Sequence, residues 1–158
     1  MVDKAEKDPK ALMDIITKTL NEKTPIAETK AVLQHIGSKL KSLTNVQCKD
    51  VCEFAIEAIK TRGDIFAKED RIFKSERAMV AEAQGDLDSA IKLLSSVQYE
   101  NADSTIPDKV DDFLALAEWW FEKDDATQAE IYVNRVSHLI YDSRIDLESQ
   151  LRYKRAFV

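Results

Sequence analysis

Apolar residues recur along most of the chain at intervals of three and four, the spacing of one face of an α-helix. Leu12, Ile15, Ile16 and Leu20 make the first such stripe, and Asp8-Pro9 reads as its start, with Asp as N-cap and Pro at the first helical position. Thr24-Pro25 repeats that signal before a second stripe of Ile26, Leu33, Ile36 and Leu40. Gly37 inside it is a weak point or a place of close helix contact. A third helix, about Val46 to Thr61, turns Cys48, Val51, Cys52, Ala55, Ala58 and Ile59 inward, and Arg62-Gly63-Asp64 stops it. A fourth, about Ile65 to Gln84, shows Ile65, Ile72, Phe73, Met79 and Val80, with Leu87 to Val97 as its return. After a polar loop over 98–107, Asp108 opens a sixth helix striped by Val110, Phe113, Ala117, Trp120 and Phe121. Ala126 to Ile140 makes a seventh, and Asp142 or Ser143 caps an eighth carrying Leu147, Leu151 and Val158. Residues 1–7 are charged and expected to fray.

Within this series one unit is written twice. Ala78, Gly85, Asp86 and Ala90 recur as Ala117, Asp124, Asp125 and Ala129, at an offset of 39 residues. A fixed period in this range signals stacked supersecondary units. Gly85 can take the left-handed conformation that ends a helix, and Asp86 can cap the next one. The alanines let two antiparallel helices approach closely. Asp124 stands where the glycine was, and aspartate tolerates left-handed geometry better than most residues. The pattern predicts an all-α fold, a right-handed TPR-like solenoid of antiparallel helix pairs, as a single domain with N-terminal helices over 1–63 and repeat hairpins over 64–158. The last stripe is still running at Phe157-Val158, without the polar closing face that such a stack needs, so an N-terminal portion of a longer protein is expected.

The 158 residues carry a formal charge of −6, with 33% charged and 44% apolar positions. That balance suits a helix-rich globular chain and argues against general nucleic-acid or acidic-membrane binding, which needs a basic face. No stretch reaches the length of a membrane span and no signal peptide is visible, so a reducing, intracellular setting is expected.

Chemistry is sparse. Cys48 and Cys52 could present two thiolates from adjacent helical turns, but zinc wants four ligands and His35 and His138 stand far away and apart. Two small residues in a core stripe is the simpler reading. Asp124, Asp125, Glu118, Glu122 and Glu130 gather carboxylates around a turn, where aspartate serves for capping. No nucleophile–base pairing and no phosphate-binding glycine loop appears. Hence no catalytic residue, cofactor or metal is expected. Trp120 lies on the sixth helix's core stripe, with Trp119 about 100° away. Packing between hairpins accounts for both, and the alternative for Trp119 is an exposed interface ring. Lys68, Arg71, Lys74 and Arg77 follow one another along the fourth helix, among Glu69, Asp70 and Glu76. They read either as a solvated face with internal pairing or as a basic strip that receives an acidic partner.

The run Lys109-Val-Asp-Asp-Phe-Leu114-Ala-Leu-Ala117-Glu-Trp-Trp-Phe-Glu122-Lys-Asp124-Asp125-Ala-Thr-Gln128-Ala129-Glu130-Ile-Tyr132-Val-Asn134-Arg135, with Gln150-Leu-Arg-Tyr153-Lys154 after it, resembles the subunit 4 family of the COP9 signalosome, PCI-type scaffolds. The resemblance covers about Ile65 to Val158. Ala126-Thr127 departs from the family's Asp-Pro, and Trp119-Trp120 from its Leu-Tyr. It implies a helical-repeat arm followed in the family by a winged-helix PCI module, which this chain does not include. The implied role is a non-catalytic scaffold and substrate-sensing arm of a complex that removes a ubiquitin-like modifier from cullin–RING ubiquitin ligases (deneddylation), with the isopeptidase metal site in another subunit. Implied partners are the other signalosome subunits, the cullin C-terminal region and its RING protein. The implied setting is cytoplasm and nucleus. The basic strip Lys68, Arg71, Lys74 and Arg77, with the N-terminal helices, is the contact face that charge and position suggest. Two alternatives stand beside this reading. One is a scaffold of the proteasome lid or another PCI complex, and the other a free-standing peptide-binding helical-repeat adaptor.

Overall fold

The structure, a computed structural model, describes residues 8–99 and 105–158. Segment 1–7, expected to fray, and residues 100–104 of the expected polar loop lie outside the described residues. Every regular element among the described residues is helical, so the fold is all-α. The helices are α1 (Pro9–Thr19), α2 (Ile26–Lys39), α3 (Asn45–Lys60), α4 (Ala67–Ala83), α5 (Leu87–Ser95), α6 (Ile106–Glu122), α7 (Ala126–Ser137) and α8 (Leu147–Phe157). Short 3₁₀ turns at Leu40–Ser42 and Gly63–Phe66 follow α2 and precede α4. None of these helices is long and apolar enough to cross a membrane.

The helix starts follow local capping chemistry. Asp8 accepts from the Lys10 N–H at 3.1 Å and Pro9 opens α1. Thr44 and Gln47 form a reciprocal capping box at α3. Four starts differ from the sequence expectation: α2 begins at Ile26 with Pro25, not Thr24, at the cap and no side-chain cap bond, and α4 begins at Ala67 because Ile65 falls in the preceding 3₁₀ turn. Helix α6 begins at Ile106, because Thr105 caps it and Asp108, the expected opener, closes the box from the third position. Helix α8 is capped by Asp146, which accepts from Ser149 N–H at 2.7 Å. Asp142, the expected cap, instead holds a turn. Its carboxylate takes both the backbone N–H and the guanidinium of Arg144, which keeps its pKa at about 2. Helix α7 ends at Ser137, short of Ile140, as Leu139 and Ile140 both turn their N–H groups onto the Val136 carbonyl at 2.8 Å.

The chain falls into two compact units, Met1–Ala102 and Asp103–Val158. The two copies of the repeat therefore sit in different units, and α3 and α4 pack together within the first. In the first unit, α1 packs on α2 and α3, α4 on α2 and α3, and α5 on α4. Leu12, Ile16, Leu33, Ile36, Val51, Phe66 and Phe73 are among its core residues. Gly37 is the close helix contact: a Cβ there would lie 2.7 Å from the Ile72 methyl Cγ2. Glu69 is wholly buried, and its Oε1 accepts from the Gln34 amide at 2.8 Å, so α4 is tied to α2 by a polar staple within the apolar layer.

In the second unit, α6 packs on α7 and α8. Leu114, Leu116, Ala117, Ala129, Val136 and Ile140 are buried. Trp119 is packed, as the first of its two readings has it, while Trp120, expected on the core stripe, is the more exposed of the two indoles. Trp119 is 2% exposed and Trp120 is half-buried, with Lys123 over its ring at 5.7 Å. Helix α6 turns Asp112, Ala115, Leu116 and Trp119 inward as well as Phe113 and Ala117, so its buried face is wider than one stripe and centred nearer Trp119. Phe121, expected in the stripe, is 44% exposed and stacks on Phe157 of α8 at 5.5 Å between ring centroids. Ile65 and Met79 of the first unit are likewise exposed, because Ile65 falls in the 3₁₀ turn and Met79 points off the α4 core face.

Candidate partner-binding surfaces

The two hairpin turns have one geometry. After α4, Gly85 takes φ +78 and donates to the Glu82 carbonyl, while the Asp86 N–H reaches Ala81 O at 2.9 Å. After α6, Asp124 takes φ +58 and donates to Phe121 O, while the Asp125 N–H reaches Trp120 O at 3.0 Å. Both are Schellman closures. Asp86 and Asp125 then cap the returning helices through Ser89 N–H at 3.1 Å and Gln128 N–H at 3.0 Å. Ala78, Ala90, Ala117 and Ala129 are all 0% exposed at the helix crossings. Three of the carboxylates around residue 124 are used structurally, while Glu122 and Glu130 are exposed. Asp124 forms the turn, Asp125 caps α7, and Glu118 grips Arg152 of α8 through its Nε at 2.8 Å and through Nη2.

Along α4, the four cations differ in their surroundings. Lys68 and Arg71 are half-buried. Lys74 is 17% exposed in its side chain and held by Asp70 at 2.7 Å, one helical turn back. Arg77 is 7% exposed and bridges to α3, where Glu53 Oε1 accepts from its Nε at 3.1 Å. The row is therefore not a uniformly exposed stripe. Its C-terminal half forms one wall of a groove among α3, α4 and α5 in the first unit.

That groove encloses about 530 Å³. Glu53, Glu57 and Lys60 line it from α3, Lys74 and Arg77 from α4, and Ser89 and Lys92 from α5 with Ser96 at its C-cap, over a floor of Ile56 and Leu93. Cations outnumber carboxylates there by four to two among the described residues. Arg77 Nη1 is buried without a hydrogen-bond partner. Lys60 reaches Glu57 only at 3.9 Å, and both side chains are about three-quarters exposed. A smaller hollow of about 230 Å³ adjoins, sharing Ile56, Lys60, Lys74 and Ser96, and adds Asp64 and Asp70. Sequence reading missed Glu53, Ser89 and Lys92 as parts of one surface. The available signal was helical spacing, Glu53, Glu57 and Lys60 on one face of α3 and Ser89 and Lys92 on one face of α5, with Ser96 following in register at its C-cap.

Cys48 and Cys52 sit in the first unit's core as free thiols with Sγ atoms 3.8 Å apart. The contact with Cys48 and burial push the Cys52 thiol well above its ordinary pKa. Glu76, beside Cys48 at a hollow next to the Leu40–Ser42 turn, is raised above its ordinary pKa by burial. Among the described residues, no three of His, Cys, Asp and Glu are grouped so as to hold a metal ion.

Comparison with known proteins gives a consistent family. The chain is 23% identical over 137 residues to COP9 signalosome complex subunit 4 of Arabidopsis thaliana, covering 85% of this chain and 34% of that protein. It is 24% identical over 137 residues to the protein of the same name in Drosophila melanogaster, covering 85% and 33%. The Dictyostelium discoideum protein of that name is 24% identical over 154 residues, covering 90% and 39%. The chain thus spans between a third and two-fifths of the length of these curated relatives. A model of the family described as PSMD12/CSN4, N-terminal, matches residues 2–158, and the chain belongs to that family.

Proposed function

We propose that this chain is the N-terminal, non-catalytic scaffold part of a COP9 signalosome subunit 4. The observation that carries this reading is the family match over 2–158, joined by relatives in a plant, an insect and an amoeba that share one name. The finer reading is an arm that meets the cullin C-terminal region and its RING protein and helps the complex sense its deneddylation substrate, in cytoplasm and nucleus. A surface of helical hairpins supports it, because such surfaces offer broad contact area to protein partners. Because the family description joins two branches, a scaffold role in the proteasome lid is the second reading.

Copurification separates the two. The tagged chain, expressed in cells, is expected to bring down signalosome subunits. Recovery of proteasome-lid subunits alone would overturn the first reading. For the finer part, titration against a purified cullin–RING complex is expected to show binding that weakens with salt, as charged contacts do. Absence of binding at about 100 µM, far above the Kd of specific contacts, would remove the substrate-arm role and leave the scaffold.

A further inference from the structure

We infer that the groove among α3, α4 and α5 is a docking site for an acidic peptide segment of a partner protein, one with carboxylates flanking an apolar residue. Three features of the groove point to that chemistry. Its cations outnumber its carboxylates by four to two among the described residues, although the chain as a whole carries −6. At its rim Lys60 and Lys92 are exposed, and Lys60 meets Glu57 only at 3.9 Å, so both ammonium groups are open to carboxylates of a ligand. The third feature is the floor, where Ile56 and Leu93 supply apolar surface between the charges.

The distribution of charge argues for a peptide over a small anion. Glu53 and Glu57 lie among the cations, so a compact multivalent anion would meet carboxylates wherever it met lysines. A peptide can separate its charges, set one carboxylate toward Lys60 and another toward Lys92, and lay an apolar side chain across Ile56 and Leu93. The same reasoning selects the end of the groove. In the adjoining hollow, Asp64 and Asp70 balance Lys60 and Lys74, and Lys74 is already held by Asp70. Arg77 is likewise held by Glu53, so the positive charge left for a ligand is that of Lys92, with Lys60 opposite it meeting Glu57 only at 3.9 Å. Lys60 and Lys92 are exposed, so they can engage a ligand without unpacking the core.

The test is a titration of the full chain with the capped peptide Glu-Glu-Leu-Glu-Glu, followed through backbone amide NMR shifts. Capped Lys-Lys-Leu-Lys-Lys and inorganic phosphate serve as controls. Saturable shifts are expected to cluster on residues 53–60 and 89–96, with the acidic peptide only. The exposed pair Lys60→Glu and Lys92→Glu is expected to weaken binding by about tenfold or more, with the circular-dichroism melt unchanged. Shifts scattered over the chain, no saturation up to about 1 mM, an equal response to phosphate, or indifference to the double reversal would each overturn the assignment. This inference does not rest on the choice of complex. A failed titration leaves the copurification result standing, and the converse also holds.

Discussion

Gly85 and Asp124 occupy matching turn positions at φ +78 and +58, but at unequal cost. An alanine at Gly85 would find no heavy atom within 4 Å of its Cβ, so the penalty for Gly85→Ala is purely one of backbone conformation. Left-handed geometry costs an ordinary L-residue about 1–2 kcal/mol, and less for aspartate. Gly85→Ala is therefore expected to destabilise the chain by about 1 kcal/mol or more. In Asp124→Gly two effects oppose: relief of the left-handed strain, and the extra unfolded-state freedom of glycine, worth about 0.4–1 kcal/mol. The expected change is within about 0.5 kcal/mol of zero. Urea unfolding midpoints at constant m-value measure both. Equal effects at the two sites would contradict the shared turn.

At the scale of the element, the decisive contact is between α2 and α4. Alanine is a better helix former than glycine by about 1 kcal/mol, so Gly37→Ala in an ordinary helix would stabilise. Here the new Cβ meets Ile72 Cγ2 at 2.7 Å, on a branched side chain with little freedom to swing aside. Overpacking of that kind costs about 1–3 kcal/mol, so net destabilisation is expected. In an Ile72→Ala background the same change should reverse sign. A double-mutant cycle on thermal stability reads the difference, and additivity within about 0.3–0.5 kcal/mol would exclude the close approach.

Gly37 also illustrates what the sequence made legible. Helix existence, the Schellman turns and their caps rest on interactions within a few residues, and these were readable from Gly85-Asp86 and Asp124-Asp125. The start of α6 was misjudged by two residues because Asp108 fits either end of a capping box. Packing accounts for the buried Trp119, but Trp120 lies off the centre of the core face for another reason: α6 is covered over a wide arc, and one-stripe periodicity cannot say where the middle of that arc lies. The groove was hidden for the same reason in stronger form. Lys60, Arg77 and Lys92 come from three helices, and only packing brings them to one surface.

For the molecule as a whole, stability is expected to be shared unequally. The large cluster from Leu12 to Val80 lies within the unit Met1–Ala102, whereas α8 of the second unit has no buried residue and is anchored by Arg152 on Glu118 and by Phe157 on Phe121. A fragment of residues 1–102 is expected to melt cooperatively when expressed alone, as a chain with its own core should. Residues 103–158 alone should unfold at lower temperature, as small chains bury a smaller share of their surface. Circular dichroism of the two fragments decides, and a non-cooperative melt of the larger would count against an independent core. Fluorescence spectroscopy gains from where the indoles lie. The chain has two tryptophans, neighbours on α6, so the first unit is dark to excitation at the red edge of protein absorption. Emission from the whole chain reports on the second unit, with one ring enclosed and the other beneath a lysine ammonium. Residues 1–158 thus carry an intrinsic optical label confined to one of their two units, without any dye or added residue.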